Sequence, residues 1–239
     1  EVLVSTLPRP DLIQKLSLIL LKCRKERNVV YARRLYDYTC RHQLDSDASL
    51  GNFLVPLLAH VGLISDAHQV FNKLVRPNDC TWNFLIIAYA KCGNLKGAQK
   101  VFDDVLNPDV VSFGALISGY SQHGHAEEAL QCFNQMQSEG IEPNSITFVA
   151  ILKAYANIRL IGKVEEIHDL AERKGVLAKS VMVGNTLVDI YAKFGWLTKA
   201  QEVFDKLSFR NVVSWTVLIA GYIQCQNGEE ALKWFVKML

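Results

Sequence analysis

Hydrophobic positions along the chain recur at helical spacing in short bursts, and the stretch Val110–Asn144 shows the pattern whole: VVSFGALISGYSQHGHAEEALQCFNQMQSEGIEPN. The pattern predicts one helix over roughly Val111–His123 and a second over roughly Ala126–Glu139. Gly124 separates them, and Gly140 with Pro143 closes the second. In water a helix of roughly 12–15 residues is marginal on its own. Each must therefore bury an apolar face against the other and against a neighbouring pair.

The same marks return along the chain. Gly62, Gly93, Gly124 and Gly195 each precede a second helix. Five residues on stand Ala67, Ala98, Ala129 and Ala200, and four further on Phe71, Phe102, Phe133 and Phe204. Ala231 and Phe235 repeat the last two marks with Gln226 in place of the Gly, and Ala32 with Tyr36 keeps them near the start. Leu54, Leu85, Leu116, Leu187 and Leu218 share one place on the first helices, as do Tyr89, Tyr120, Tyr191 and Tyr222. A small residue followed by an aromatic one turn later describes two helices in close approach, so these stripes read as core. Repetition at this period is the signature of a solenoid. The repeats span residues 13–47, 48–78, 79–109, 110–144, 145–180, 181–211 and 212–239, the last cut short, and residues 1–12 read as a leader or linker. The repeat over 145–180 is degenerate: it lacks the Gly, and His168 stands where Phe stands elsewhere.

Composition changes this picture little. Half the residues are hydrophobic, which argues against disorder, and the formal net charge of +2 excludes a strongly basic, histone-like binder. It leaves open a nucleic-acid binder that works by stacking and base contacts. The six cysteines are scattered without a C-x-x-C pair, as expected of reduced thiols in packing positions. No apolar run approaches the ~20 residues of a membrane span. The chain does not begin with Met and stops inside a repeat, so it reads as a piece of a longer protein.

Catalytic motifs are missing. His125-Ala126-Glu127 matches the H-x-E of a zinc deaminase, but that site also needs a P-C-x-x-C, which the chain does not contain. No phosphate loop, dinucleotide fingerprint or nucleophile elbow is present. The expectation is a chain that is not an enzyme, with no cofactor, no metal, no small-molecule substrate and no membrane partner.

Repeats of 31, 35 and 36 residues carrying the phrases VVSWTVLIAGY, NTLVDIYAKFG and EEALQCFNQM resemble pentatricopeptide repeats, and their mixed lengths resemble the plant subclass that alternates standard, long and short repeats. The resemblance covers nearly the whole chain. It implies an all-α, right-handed superhelical solenoid of helix-turn-helix repeats that binds single-stranded RNA one base per repeat. It further implies a mitochondrion or chloroplast as the location, a role in organellar RNA editing or processing, and editing-complex proteins as possible partners. A helical scaffold for protein–protein interaction is the competing reading.

In the family, the fifth and last residues of a repeat select the base and the second packs on base faces. Carried onto this chain, the selecting pairs are Ser17 with Asp47, Asn52 with Asn78, Asn83 with Asp109, Gly114 with Asn144, Val149 with Ser180, and Asn185 with Asn211; Thr216 stands alone. Gly114 has no side chain to hydrogen-bond and Val149 cannot, so those two repeats depart from the pattern. An Asn amide both donates and accepts, which suits a pyrimidine edge, and Asp only accepts. The family pattern then implies a footprint of G-C-U-R-N-C-R, 5′ to 3′. Cys80, Val111, Ile146, Met182 and Val213 are the base-packing candidates, with Gln14 and Ser49 poorer at the same place. Lys91 and Lys193 are candidates for phosphate. Two plainer readings stand beside these: an Asn at a helix start is often just a cap, and a Lys at a helix end suits the helix dipole.

Overall fold

In the computed structural model of the chain, residues 9–26 and 28–239 are described, and among them are fifteen helices and no strand. They run α1 (Arg9–Glu26), α2 (Val29–Arg41), α3 (Ala48–His60), α4 (Ile64–Lys73), α5 (Asp79–Lys91), α6 (Leu95–Asp103), α7 (Val110–Gln122), α8 (Ala126–Ser138), α9 (Ser145–Asn157), α10 (Ile161–Arg173), α11 (Val176–Lys179), α12 (Val181–Lys193), α13 (Leu197–Lys206), α14 (Val212–Gln224) and α15 (Gly228–Met238). The leader expected over residues 1–12 lies outside the described residues as far as residue 8. Beyond that the expectation is corrected: α1 already begins at Arg9, with Pro10 in its first turn, where a missing N–H costs nothing. The short α11 had no signal in the pattern.

The helices form two compact bodies, Glu1–Leu116 and Ile117–Leu239. In the first, the first helices α1, α3 and α5 pack side by side, and α2, α4 and α6 back them. In the second, α9, α12 and α14 form the corresponding row, backed by α10, α13 and α15.

Most first helices end alike. The N–H two residues past the cap reaches back to close a 6→1 bond, as in Asn94 to Tyr89, His125 to Tyr120, Trp196 to Tyr191 and Asn227 to Tyr222. That closure needs a left-handed residue, and Gly62, Gly93, Gly124 and Gly195 supply it with φ of 87°, 78°, 83° and 78°. Where the sequence lacks Gly, the chain turns the same way regardless: Arg159 and Gln226 both sit at φ 58°.

The repeated marks are buried as their spacing predicts. Ala67, Ala98, Ala129 and Ala200 have no exposed surface, nor have Leu54, Leu85, Leu116, Leu187 and Leu218. Phe71, Phe102 and Phe204 each meet the ring at the fourth place of the next repeat edge to face. Phe71 contacts Trp82 at 4.5 Å, Phe102 contacts Phe113 at 4.8 Å, and Phe204 contacts Trp215 at 4.9 Å between centroids. The last repeat departs from its mark: Phe235 is 44% exposed, and Trp234 instead packs against Phe204 and Trp215. The tyrosine hydroxyls reach across to the second helices, Tyr89 to His68 (2.7 Å), Tyr191 to His168 (3.0 Å) and Tyr222 to Gln201 (2.8 Å). All six cysteines are free, and Cys80 and Cys92 are exposed rather than packed.

His168 thus fills the degenerate Phe place as a polar substitute. Its ring touches Tyr191 and lies 3.6 Å from Glu172, with Asp169, Glu202 and Lys206 nearby. Burial lowers its pKa from the ordinary histidine value, and burial pushes Tyr191 up to about 12.

Two outcomes follow from this packing. Phe102→Ala removes a buried ring and its edge-to-face partner, with an expected loss of about 3–5 kcal/mol in urea unfolding. Phe235→Ala at its exposed position is expected to change stability by less than about 1 kcal/mol. The His168 pKa is lower folded than unfolded, so the unfolded chain takes up the proton first as pH falls. Stability is therefore complete above about pH 6.5 and declines below it. His168→Phe is expected to lose less melting temperature between about pH 7.5 and about pH 5.5 than the parent chain, with His68, lowered for the same reason, supplying the remaining sensitivity.

Candidate nucleic-acid interface

The N-terminal turns of α3, α5, α7, α9, α12 and α14, with the residues just before them, carry most of the base-selecting and base-packing candidates, whereas Lys91 and Lys193 end α5 and α12. The last residue of a repeat is the N-cap of the next first helix. Asp47 accepts from Ser49 and Leu50 N–H, Asn78 from Thr81, Asn144 from Ile146 and Thr147, and Asn211 from Ser214. Asp109 accepts in the same way from Val111 and Ser112. The plainer reading of these residues as caps therefore holds at five places, since each satisfies helix N–H groups that otherwise have no partner.

Capping does not exhaust them. The Asn at the fifth place reaches the cap 26 residues on. The Asn83 NH2 donates to both carboxylate oxygens of Asp109, at 3.2 and 3.1 Å, and the Asn185 NH2 donates to Asn211 Oδ1 at 3.4 Å. Asn52 Oδ1 instead accepts from the Asn78 backbone N–H at 3.2 Å and from the Thr81 hydroxyl at 2.6 Å. Asn83 and Asn185 are each 9% exposed, and the Asn185 Oδ1 is buried without a hydrogen-bond partner. A buried carbonyl left unmatched costs about 1–3 kcal/mol.

The apolar candidates lie beside these pairs and face solvent. Val111 is 43% exposed, Ile146 55%, Met182 47% and Val213 53%, and Cys80 is exposed too. Exposed apolar side chains at one place in successive repeats are what flat ligands would cover. In the second body, Met182 and Val213 flank Asn185 and Asn211 in a cleft of about 480 Å³ that also holds Lys153, Thr186, Asp189 and Val217. Beside it opens a second cleft of about 650 Å³, lined by Lys153, Arg159 and Lys193 with Gln122 and Asn157.

Other candidates are placed differently. The Ser17 hydroxyl turns back to its own helix, donating to the Ile13 carbonyl at 2.9 Å, and makes no hydrogen bond to Asp47 among the described residues. Gly114 is buried in the first body, and Asn144 caps α9 in the second. Val149 is half-buried, and Ser180 makes no side-chain cap bond. The Thr216 hydroxyl donates to the Val213 carbonyl at 3.0 Å. Lys91 is exposed, whereas Lys193 forms an ion pair with Asp189 at 2.6 Å. The H-x-E phrase forms the entry to α8, where His125 Nδ1 meets Glu128 Oε1 at 3.2 Å.

Sequence reasoning missed Lys153, Arg159 and Asp189, since their residue types do not recur at their places: Lys153 and Asp189 share the ninth place with opposite charge, and Arg159 stands where other repeats have Gly. It also missed Thr81, Ser112, Thr147 and Ser214 at the third place of their repeats. There the alternation of Ser and Thr was a visible signal.

Comparison with known proteins agrees with this architecture. The PPR repeat family model matches residues 108–157, and the PPR repeat model matches 80–107, 185–212 and 213–239. Two pentatricopeptide repeat-containing proteins of Arabidopsis thaliana, one of them mitochondrial, are 40% identical over 223 residues and 43% identical over 222 residues. These alignments take in 93% and 92% of this chain but 30% and 32% of the relatives. The chain thus spans about a third or less of the curated relatives it matches. Among solved structures, the pentatricopeptide repeat protein PPR10 in complex with an 18-nt psaJ RNA element superposes with a TM-score of 0.75 at 21% identity, covering 93% of this chain and 34% of that one. The PPR domain of Arabidopsis thaliana protein-only RNase P 1, in complex with tRNA, superposes with a TM-score of 0.61 at 19% identity, covering 79% of this chain and 98% of that one. With its repeated helical hairpins, their phased marks and these matches together, the chain belongs to the pentatricopeptide repeat family.

Proposed function

We propose that this chain binds single-stranded RNA one base per repeat, each base lying between the exposed second-place side chains of successive repeats and read by the fifth-place residue with the following cap. The observation that carries this is Asn185: a side chain 9% exposed, fixed by Asn211, with an unpartnered carbonyl oxygen beside a cleft flanked by Met182 and Val213. A peptide-binding scaffold has no need of buried amides in one phase, whereas a base edge presents the donors and acceptors that such an amide matches. The structural relatives solved with RNA support the same reading.

The base-selecting residues are Asn52, Asn78, Asn83, Asp109, Asn185 and Asn211, with Ser17, Asp47, Gly114, Asn144 and Thr216 as weaker contributors. Cys80, Val111, Ile146, Met182 and Val213 pack on base faces. Lys91 faces phosphate in the first body, and Lys153 and Arg159 do so in the second, from the cleft they line. Lys193 does so by exchanging Asp189 for a phosphate oxygen. The repeat over 145–180, without a hydrogen-bonding fifth residue, spaces its neighbours rather than selecting a base.

Mixed repeat lengths support a place in the standard, long and short subclass. We assign it to site recognition in organellar RNA editing or processing, with any chemical step supplied by another region or by editing-complex proteins. Relatives named as chloroplastic and mitochondrial support an organelle as the location.

A fluorescently labelled RNA carrying the G-C-U-A-N-C-A footprint is expected to bind more tightly than its complement and than the same sequence as a duplex. Asn83→Ala is expected to lower the preference for U over C at the third base by about tenfold while leaving other positions unchanged. Equal binding of the footprint and its complement, or only the salt-sensitive background of a weakly basic protein, would overturn the reading in favour of a protein-binding scaffold.

A further inference from the structure

The three Asn residues at the fifth place do not present the same edge. Their orientations follow from partners whose roles are fixed. A backbone N–H only donates, so the Asn52 atom facing Asn78 N–H is its oxygen, and the Asn52 NH2 is left over. A carboxylate only accepts, so the Asn83 atom facing Asp109 is its nitrogen, and its carbonyl is left. Asn211 Oδ1 is fixed as oxygen because it accepts the Ser214 N–H at 3.0 Å. The Asn185 atom facing it is therefore nitrogen, and the Asn185 carbonyl is the one left buried and unpartnered. Asn52 with Asn78 and Asn185 with Asn211 are the same two residue types, yet they are turned opposite ways.

The residue at the third place of the following repeat accounts for the reversal. Ser112 and Ser214 each accept the backbone N–H of the cap residue, Asp109 at 2.8 Å and Asn211 at 3.2 Å. That N–H is then spoken for, and the fifth-place Asn can meet only the cap's side-chain oxygen. Thr81 and Thr147 donate to the cap side chain, to Asn78 Oδ1 at 2.7 Å and to Asn144 Oδ1 at 3.1 Å, as Ser112 and Ser214 also do at 3.2 and 3.1 Å, but among the described residues neither threonine accepts the cap N–H. In the repeat before Thr81, the Asn78 N–H passes to Asn52 Oδ1, and the one Thr81 hydroxyl hydrogen is shared between that oxygen at 2.6 Å and Asn78 Oδ1.

We infer that Thr81 and Ser214 are specificity-determining positioning residues that choose which edge of the fifth-place amide meets the RNA, so that the repeat over 48–78 takes cytosine and the repeat over 181–211 takes uracil. The inference rests on the RNA reading proposed above. Cytosine carries a lone pair at N3 and matches the NH2 left by Asn52. Uracil carries an N3–H and matches the carbonyl left by Asn185. The carbonyl of Asn83 likewise selects uracil. The family pattern implied cytosine at both Asn-Asn repeats, so the two readings differ at the sixth base.

The test measures the 239-residue chain against four single-stranded RNAs that differ only in C or U at the second and sixth bases of the footprint. The proteins are the parent, Thr81→Ser and Ser214→Thr, with circular dichroism and melting to show that all are folded. The parent is expected to prefer C at the second base and U at the sixth, each by about tenfold. Ser214→Thr is expected to move the sixth base toward C and leave the second alone, and Thr81→Ser to move the second base toward U and leave the sixth alone. A purely structural role for these hydroxyls would weaken both RNAs alike and reverse nothing. Preference for C at both bases in the parent, or preferences unmoved by either substitution, overturns the inference while leaving the RNA reading standing. Failure of every protein to bind any of the four RNAs above background overturns both.

Discussion

Every repeat here depends on burying its apolar face against the next, because its helices are too short to stand alone. Apart from α1, no helix among the described residues exceeds 13 residues, so isolated stability is marginal. The edge-to-face contact from one repeat's Phe to the ring at the fourth place of its successor is the most repeated expression of that dependence. It fixes the first helices side by side, and with them the spacing of their N-terminal ends. The groove's periodicity is thus a by-product of core packing.

Differences in repeat length are absorbed at the exit of the second helix. The longer repeats close it through a left-handed residue: Gln43 at φ 52°, Gly140 at 73° and Gly175 at 66°. The short repeats over 48–78 and 181–211 have no such turn, and Leu74 and Leu207 fold directly over Gly51 and Gly184. There an added Cβ would lie 2.2 Å from the leucine methyl. These are the two repeats that follow a Tyr or His in the Phe place, so the glycine and leucine fill the room left by the missing aromatic pair. Either way, the cap of the next first helix arrives at the same point.

That cap serves two demands at once. Its side-chain oxygen satisfies helix N–H groups, which fixes the atom as an acceptor and makes it a rigid reference for the fifth-place Asn. A side chain held by a helix cap loses little further freedom on binding a ligand, which is the physical benefit of placing a candidate site on helix ends rather than on loops.

Much of this was legible in the chain itself. Repetition of Gly, Ala, Leu, Tyr and Phe at fixed offsets determined the hairpin, its boundaries to within a residue or two and the buried stripes, because helical periodicity is local and each repeat restates it. The phase of Asn52, Asn83 and Asn185 marked the candidate site for the same reason. Other features depended on contacts between residues far apart in sequence. The pattern could not show that Arg159 and Gln226 adopt the glycine turn, since the surrounding 6→1 closure imposes it. Nor could it show that Trp234 displaces Phe235 from the core, which follows from the space beside Phe204. The opposed amides of Asn52 and Asn185 lay furthest from view. Their residue pairs are identical in sequence; the Thr or Ser three residues past the cap was visible in the chain, but only the tertiary structure, by bringing the fifth-place Asn to a cap 26 residues on, decided where one backbone N–H would go.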